Sequence, residues 1–251
     1  MCYAPGMASL ASPPRTETPR HAAFVRVTHW LTFVAFMALL ITGAEIVVSH
    51  PRFYWGETGN VNMHPLFTIH IPSSRDTVPT GYGYVMPDQN GWSRYLHFES
   101  AWLLVIAGFV YLIAGVGTGH FRRNLLGRRD DWNWRAIGRT IAEHLRRAPA
   151  DPAGALRYNA LQKTAYLAVL LVLFPLVIWT GLALSPSFNS AFPFFVNALG
   201  GRQSARTLHF FISGALLLFL TVHVALVALS GFRSRMRAMI TGRIRLPEEP
   251  Q

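Results

Sequence analysis

Four histidines of this 251-residue chain, His29, His97, His209 and His223, lie within or at the mouth of long apolar runs. That placement gives them chemical meaning, because an ionisable ring in hydrocarbon is costly unless it is paired or bound. His209 and His223 are 14 residues apart. On a helix, 14 steps of about 100° end about 40° short of four full turns, so both imidazoles leave one face, about 21 Å apart along the axis. Two rings on one stripe call for two partners: two metal centres, or two hydrogen bonds to neighbouring helices. Cys2 is the only cysteine. It excludes an internal disulfide, a cysteine metal site and the C-x-x-C-H attachment of covalent haem, so any haem here is b-type.

The elements that carry these rings must cross a membrane. Residues 205–229 extend about 37 Å as a helix, against a hydrocarbon core of about 30 Å. Further apolar runs at about 25–48, 96–116 and 161–184 make four spans in a chain that is 51% hydrophobic and only 14% charged. The fold class expected is an all-α integral membrane four-helix bundle. Residues 1–20, rich in Pro, Ser, Thr and Ala, lack the pattern of a signal peptide and predict a disordered cytoplasmic tail; 21–245 form the four-span domain and 246–251 a C-terminal tail. Residues 51–95 have the Pro- and Gly-rich composition of a loop without helical period. Between spans two and three, Trp134, Ile137, Ile141 and Leu145 recur among arginines and predict an amphipathic helix on the membrane surface, or one packed on a soluble partner. Pro175 predicts a kink in span three. Ser185 to Ser204 reads as a short polar loop.

The net charge of +11 could suggest a nucleic-acid partner, but its distribution excludes one. Of the 23 Lys and Arg, 18 lie in the N-terminal tail, the loop between spans two and three, and the C-terminus. Both termini are therefore expected in the cytoplasm, with the excess charge an orientation signal that also contacts anionic lipid.

Orientation sorts the histidines by depth. His29 falls near the inner end of span one and His223 near the inner end of span four; His97 and His209 fall at the outer level. Pairing His97 with His209 and His29 with His223 makes two bis-imidazole sites, the ligation that two haem irons in a helix bundle require. Each ring would bind iron through one nitrogen and donate from the other to a carbonyl or hydroxyl. His50 is the alternative outer ligand, although it overshoots the spacing between levels. His120 is turned away from His97 on its helix, and His21, His64, His70 and His144 belong to tail, loop and surface helix.

With these residues in place, the chain resembles the bacterial cytochrome b561 and nickel-hydrogenase/formate-dehydrogenase cytochrome b superfamily over about residues 20–240. FYWGETG at 53–59, NLLGRRDD at 124–131 and RYNALQK at 157–163 are similar to cytochrome b subunits likened to thiosulfate reductase. The resemblance implies two haems b in the bacterial inner membrane. It also implies electron transfer between a quinone and a periplasmic redox protein, a molybdopterin oxidoreductase being the kind of partner often found. The protein would then be an electron-transfer subunit rather than a catalytic one. A stand-alone membrane oxidase or quinone reductase of the same fold is the alternative, and a haem-free anchor or transporter a third.

Neighbouring residues suggest further roles. Arg26 and Arg206 each precede a ligand histidine by three residues and are candidates for haem propionate contacts, or for interfacial snorkelling. Gly43, Gly108, Gly181 and Gly214 leave room for a haem face or another helix. Thr42-Gly43 and Thr180-Gly181 recur in spans one and three, hinting at a duplicated helix pair. Tyr158, Asn159, Gln162 and Lys163, at the inner mouth of span three, are candidate quinone contacts, or a headgroup anchor. Phe53, Tyr54, Trp55, Tyr82, Tyr84 and Trp92 make the 50–96 loop a surface on which a periplasmic partner could dock.

Overall fold

The computed structural model describes residues 17–60, 62–70, 89–125, 160–229 and 231–245. Four helical segments there are long and apolar enough to cross a membrane: Ala23–Ser49, Gly91–Gly117, Thr164–Leu184 and Arg202–Leu229. The amphipathic surface helix expected between spans two and three, like Tyr82, Tyr84, His144, Tyr158 and Asn159, lies outside the described residues.

Helix α1 (Ala23–Ser49) packs along α2 (Gln89–Gly117) through small side chains spaced seven apart. Thr28, Ala35, Thr42 and Ser49 are buried on α1, and Ser93, Ser100 and Ala107 on α2. In lipid there is no hydrophobic drive between helices, so close backbone approach over small residues is what holds such a pair. Each hydroxyl of the α1 stripe is satisfied on its own helix: Thr28, Thr42 and Ser49 bond the carbonyls of Phe24, Ala38 and Glu45, at 2.7, 2.7 and 3.0 Å. The stripe also explains a difference from expectation. Helix α2 begins at Gln89, within the predicted loop, because Ser93 extends the packing seam by one more turn pair toward the end of α1.

The third span is α3 (Ala160–Ala168) continued by α4 (Phe174–Leu184), joined by one wide turn at Val169–Leu173. Pro175 has no N–H for the helix ladder and its ring crowds the carbonyl four residues back. The preceding turn therefore widens, and Phe174 N–H reaches the carbonyl of Val169 five residues earlier. The predicted polar loop 185–204 folds into two short helices, α5 (Pro186–Ala191) and α6 (Phe194–Asn197). Val196 of α6 is buried with Ala183 of α4 and Ala205 of α7 (Arg202–Leu229).

Both ends of the bundle are closed by short antiparallel strand pairs. At the end nearer His209, termed outer from the expected orientation, β2 (Arg52–Phe53) pairs with β3 (Phe67–Thr68). At the opposite end, termed inner, β1 (Glu17–Pro19) pairs with β4 (Arg243–Arg245), so residues 17–20 of the expected disordered tail are instead part of the fold. The two strands meet because α8 (Phe232–Thr241) turns back under α1. Trp30 Nε1 donates to the Met239 carbonyl at 3.3 Å and the Arg26 guanidinium donates to that of Ile240. A cation on the last carbonyls of α8 is also favoured by the helix dipole.

Candidate functional site

The structure juxtaposes the four histidines in the two expected pairs. His97 on α2 faces His209 on α7 with ring centres 6.3 Å apart and planes at 67°. His29 on α1 faces His223 on α7 at 6.4 Å and 52°. Two imidazoles on opposite sides of one iron, each bonded at about 2 Å with the ring centre about 1.1 Å beyond the nitrogen, have centres about 6.2 Å apart. Both pairs have that separation. Among the described residues no group of three or more His, Cys, Asp or Glu converges as a metal site. Two imidazoles at this separation would hold an iron that draws its remaining ligands from a porphyrin.

The outer pair is held by a repeated device. Thr42 Oγ1 lies 2.9 Å from His97 Nδ1, and Thr180 Oγ1 lies 2.9 Å from His209 Nδ1. The neighbouring glycines lie against the rings: a Cβ on Gly181 would crowd His209 Cε1 at 3.3 Å, whereas one on Gly43 would make ordinary contact with His97 Cε1 at 3.6 Å. The Thr-Gly repeat visible in the sequence thus has one job in both spans, which is to seat an outer imidazole contributed by the partner helix. Gly108 and Gly214 meet nothing within 4 Å among the described atoms. The inner pair sits among aromatic rings instead. Phe219 stacks on His223 with centres 5.8 Å apart, Tyr166 approaches it at 6.3 Å, and Trp30 stands edge-on to His29 at 5.4 Å.

The loop segment FYWGETG clamps the N-terminus of α7, two turns above His209. The orphan amides of that helix end are satisfied by the loop: Gln203 and Ser204 N–H donate to the Gly56 carbonyl at 2.9 and 3.2 Å, and Arg202 N–H to the Glu57 carboxylate at 3.0 Å. In return Ser204 Oγ accepts from Gly56 N–H at 2.7 Å, and Thr207 Oγ1 donates to the Tyr54 carbonyl at 2.7 Å. Arg206 donates to the carbonyls of Arg52 and His50 and lies over the Phe53 ring, 4.8 Å from its centre. Phe53 is buried between Phe67 and Phe210, at 4.6 Å from each. Phe53 and Tyr54 are therefore structural and unavailable to a docking partner, whereas Trp55 is 57% exposed and Trp92 47%.

The remaining described histidines belong to neither ring pair. His50 ends α1, where burial and the Arg206 and Arg94 guanidiniums hold its pKa below the usual histidine value. His120 packs edge-on to Phe24 at 5.5 Å. His64 and His70 line an open depression on the outer loop with Arg52 and Thr68. His21 departs from the tail assignment. It is half-buried at the head of α1, and burial, with Arg20, His29, Arg235 and His120 nearby, lowers its pKa to about 4. Gln162 and Lys163 lie on α3.

Comparison with known proteins accords with this architecture. The family model of prokaryotic cytochrome b561 matches residues 20–242. A protein of Azospira oryzae (strain ATCC BAA-33 / DSM 13638 / PS) named "Putative protein-methionine-sulfoxide reductase subunit YedZ1" is 30% identical over 214 residues, covering 83% of this chain and 90% of the relative. A four-span helical chain matched along nearly its whole length by one family model belongs to that family: this is a prokaryotic cytochrome b561, a multi-pass membrane protein of a haem b family.

Proposed function

We propose that the protein is a dihaem subunit of the bacterial inner membrane that carries electrons between the quinone pool and an oxidoreductase on the extracytoplasmic side. The observation behind this reading is the presence of two imidazole pairs, each at the separation suited to one iron. Haem b at each pair would supply one-electron transfer without bond making. His97 and His209 would hold the outer group, and His29 and His223 the inner one. The rise of 14 helical residues sets the two levels about 21 Å apart, which removes the need for a mobile carrier within the bilayer. The clamped loop places exposed Trp55 beside the helix end that bears His209, where a periplasmic partner would dock. The name of the Azospira relative favours a partner that reduces methionine sulfoxide in proteins; a molybdopterin enzyme remains the class suggested by family resemblance. Arg26 would meet an inner propionate through the guanidinium edge left by its bond to Ile240, and Arg206 an outer one. Tyr158, Asn159, Gln162 and Lys163 are the proposed quinone contacts at the inner face. Both termini would be cytoplasmic, given the distribution of Lys and Arg.

Haem quantification by pyridine haemochrome tests the core of the proposal. The purified chain should hold two haems b, and His209→Ala and His223→Ala should each retain one, with different spectra. A wild-type chain with one haem or none, or single variants that keep both, would overturn it.

A further inference from the structure

The two imidazole pairs are built differently, and the difference bears on how the protein is assembled. Thr42 Oγ1 is 2.7 Å from the Ala38 carbonyl, and Thr180 Oγ1 is 2.8 Å from that of Leu176. A hydroxyl has one proton and a carbonyl oxygen can only accept, so each threonine donates along its own helix. Its oxygen then faces the histidine Nδ1 at 2.9 Å as an acceptor, and at His209 the Val177 carbonyl is a second one. The proton between them must be the ring's own. His97 and His209 are thereby held as Nδ1–H tautomers, with the Nε2 lone pair unprotonated. Neutral imidazole in water prefers the opposite tautomer, in which the proton occupies the nitrogen that iron needs. Among the described residues neither ring nitrogen of His29 or His223 has a hydrogen-bond partner; those rings are positioned by the packing of Trp30, Tyr166 and Phe219.

We propose that Thr42 and Thr180 are positioning residues that set the tautomer of the outer pair before haem arrives, so that the outer site fills first and the inner site is the weaker one. This rests on the dihaem reading above. The two threonines stand on different helix pairs, α1 with α2 and α4 with α7, so the device acts on both sides of one site. A hydrogen bond from the free nitrogen of a metal-bound imidazole also raises its basicity, which favours the ferric state of the outer iron.

The test is titration of the detergent-solubilised apoprotein with haemin, comparing wild type with Thr42→Val, Thr180→Val and the corresponding serine variants. In the wild type the first equivalent should enter the outer site, identified by its absence from the His209→Ala protein. Either valine variant should weaken that site about 10–100-fold, the range typical of losing such a partner. The inner site should be unchanged, which also reports that the variant is folded; serine, which keeps the hydroxyl, should restore wild-type affinity. Redox potentiometry of the outer haem should show a raised midpoint in any valine variant that retains it. Nitrogen-15 shifts of the apoprotein should report Nδ1–H at His97 and His209 and lose that signature in the valine variants. If wild type binds two haems but the inner site fills first, or the valine variants titrate like wild type, the proposal fails while the dihaem reading stands. If wild type never binds a second haem, the dihaem reading itself fails.

Discussion

Gly201 is the position at which one methyl group should undo the loop clamp. Its φ is +108°, a conformation that side chains rarely adopt, and an added Cβ would stand 2.6 Å from both the carbonyl carbon and oxygen of Gly56 and 2.7 Å from Glu57 N. All three are backbone atoms, so no side-chain rotation relieves the contact. Forcing a non-glycine residue into such a region costs about 1–3 kcal/mol, and overpacking a fitted contact about 1–3 more. Each hydrogen bond that ties Gly56 and Glu57 to Arg202, Gln203 and Ser204 contributes only about 1 kcal/mol net. The cheapest relief for Gly201→Ala is therefore release of the 52–57 segment from α7. At about 1.4 kcal/mol per tenfold, a loss of about 2 kcal/mol should speed hydrogen exchange of the Gln203 and Ser204 amides about 30-fold, with Trp55 fluorescence and protease access to the loop changing in step. Gly91→Ala is the control: among the described residues its Cβ meets nothing within 4 Å, and alanine suits a helix better than glycine. Exchange at Gln203 and Ser204 that is the same in Gly201→Ala as in wild type would refute the clamp.

Orientation can be read from cysteine labelling in intact cells, where Thr58→Cys should react with an impermeant reagent and Asp151→Cys should not; the reverse pattern would invert the topology. The inner strand pair should be acid-sensitive through His21, whose pKa is lowered from 6.5 to about 4. The unfolded or undocked chain binds the proton more readily, so the stability that neutral His21 contributes is present above about pH 6.5 and lost as pH falls toward 4. Exchange of the Arg20 amide, which bonds the Gly242 carbonyl at 2.7 Å, should accelerate over that window relative to a His21→Gln variant, and equal pH profiles would exclude the linkage. Trp55→Ala should leave haem content unchanged yet slow electron exchange with the proposed extracytoplasmic partner several-fold; an unchanged rate would remove Trp55 from the proposed docking surface.

The sequence by itself determined the four spans and the two histidine levels, because both depend on quantities that run along the chain: hydropathy over a bilayer thickness, and a rise of about 1.5 Å per residue. It also contained the Thr-Gly repeat, visible as a pattern but without a role. That role depends on the rotation of α1 against α2 and of α4 against α7, which brings Thr42 to His97 and Thr180 to His209 across 55 and 29 residues. No periodicity specifies such a rotation; the small-residue seam does, and only once two helices meet along it. The loop clamp joins Gly56 to Ser204 and Tyr54 to Thr207 across 148 and 153 residues, and composition alone could not separate buried Phe53 and Tyr54 from exposed Trp55. The inner strand pair likewise exists because α8 folds back under α1 and carries Arg243–Arg245 to the chain's beginning. Depth in the membrane is a one-dimensional property that the chain carries in its order, whereas who touches whom at a given depth is settled only when the helices pack.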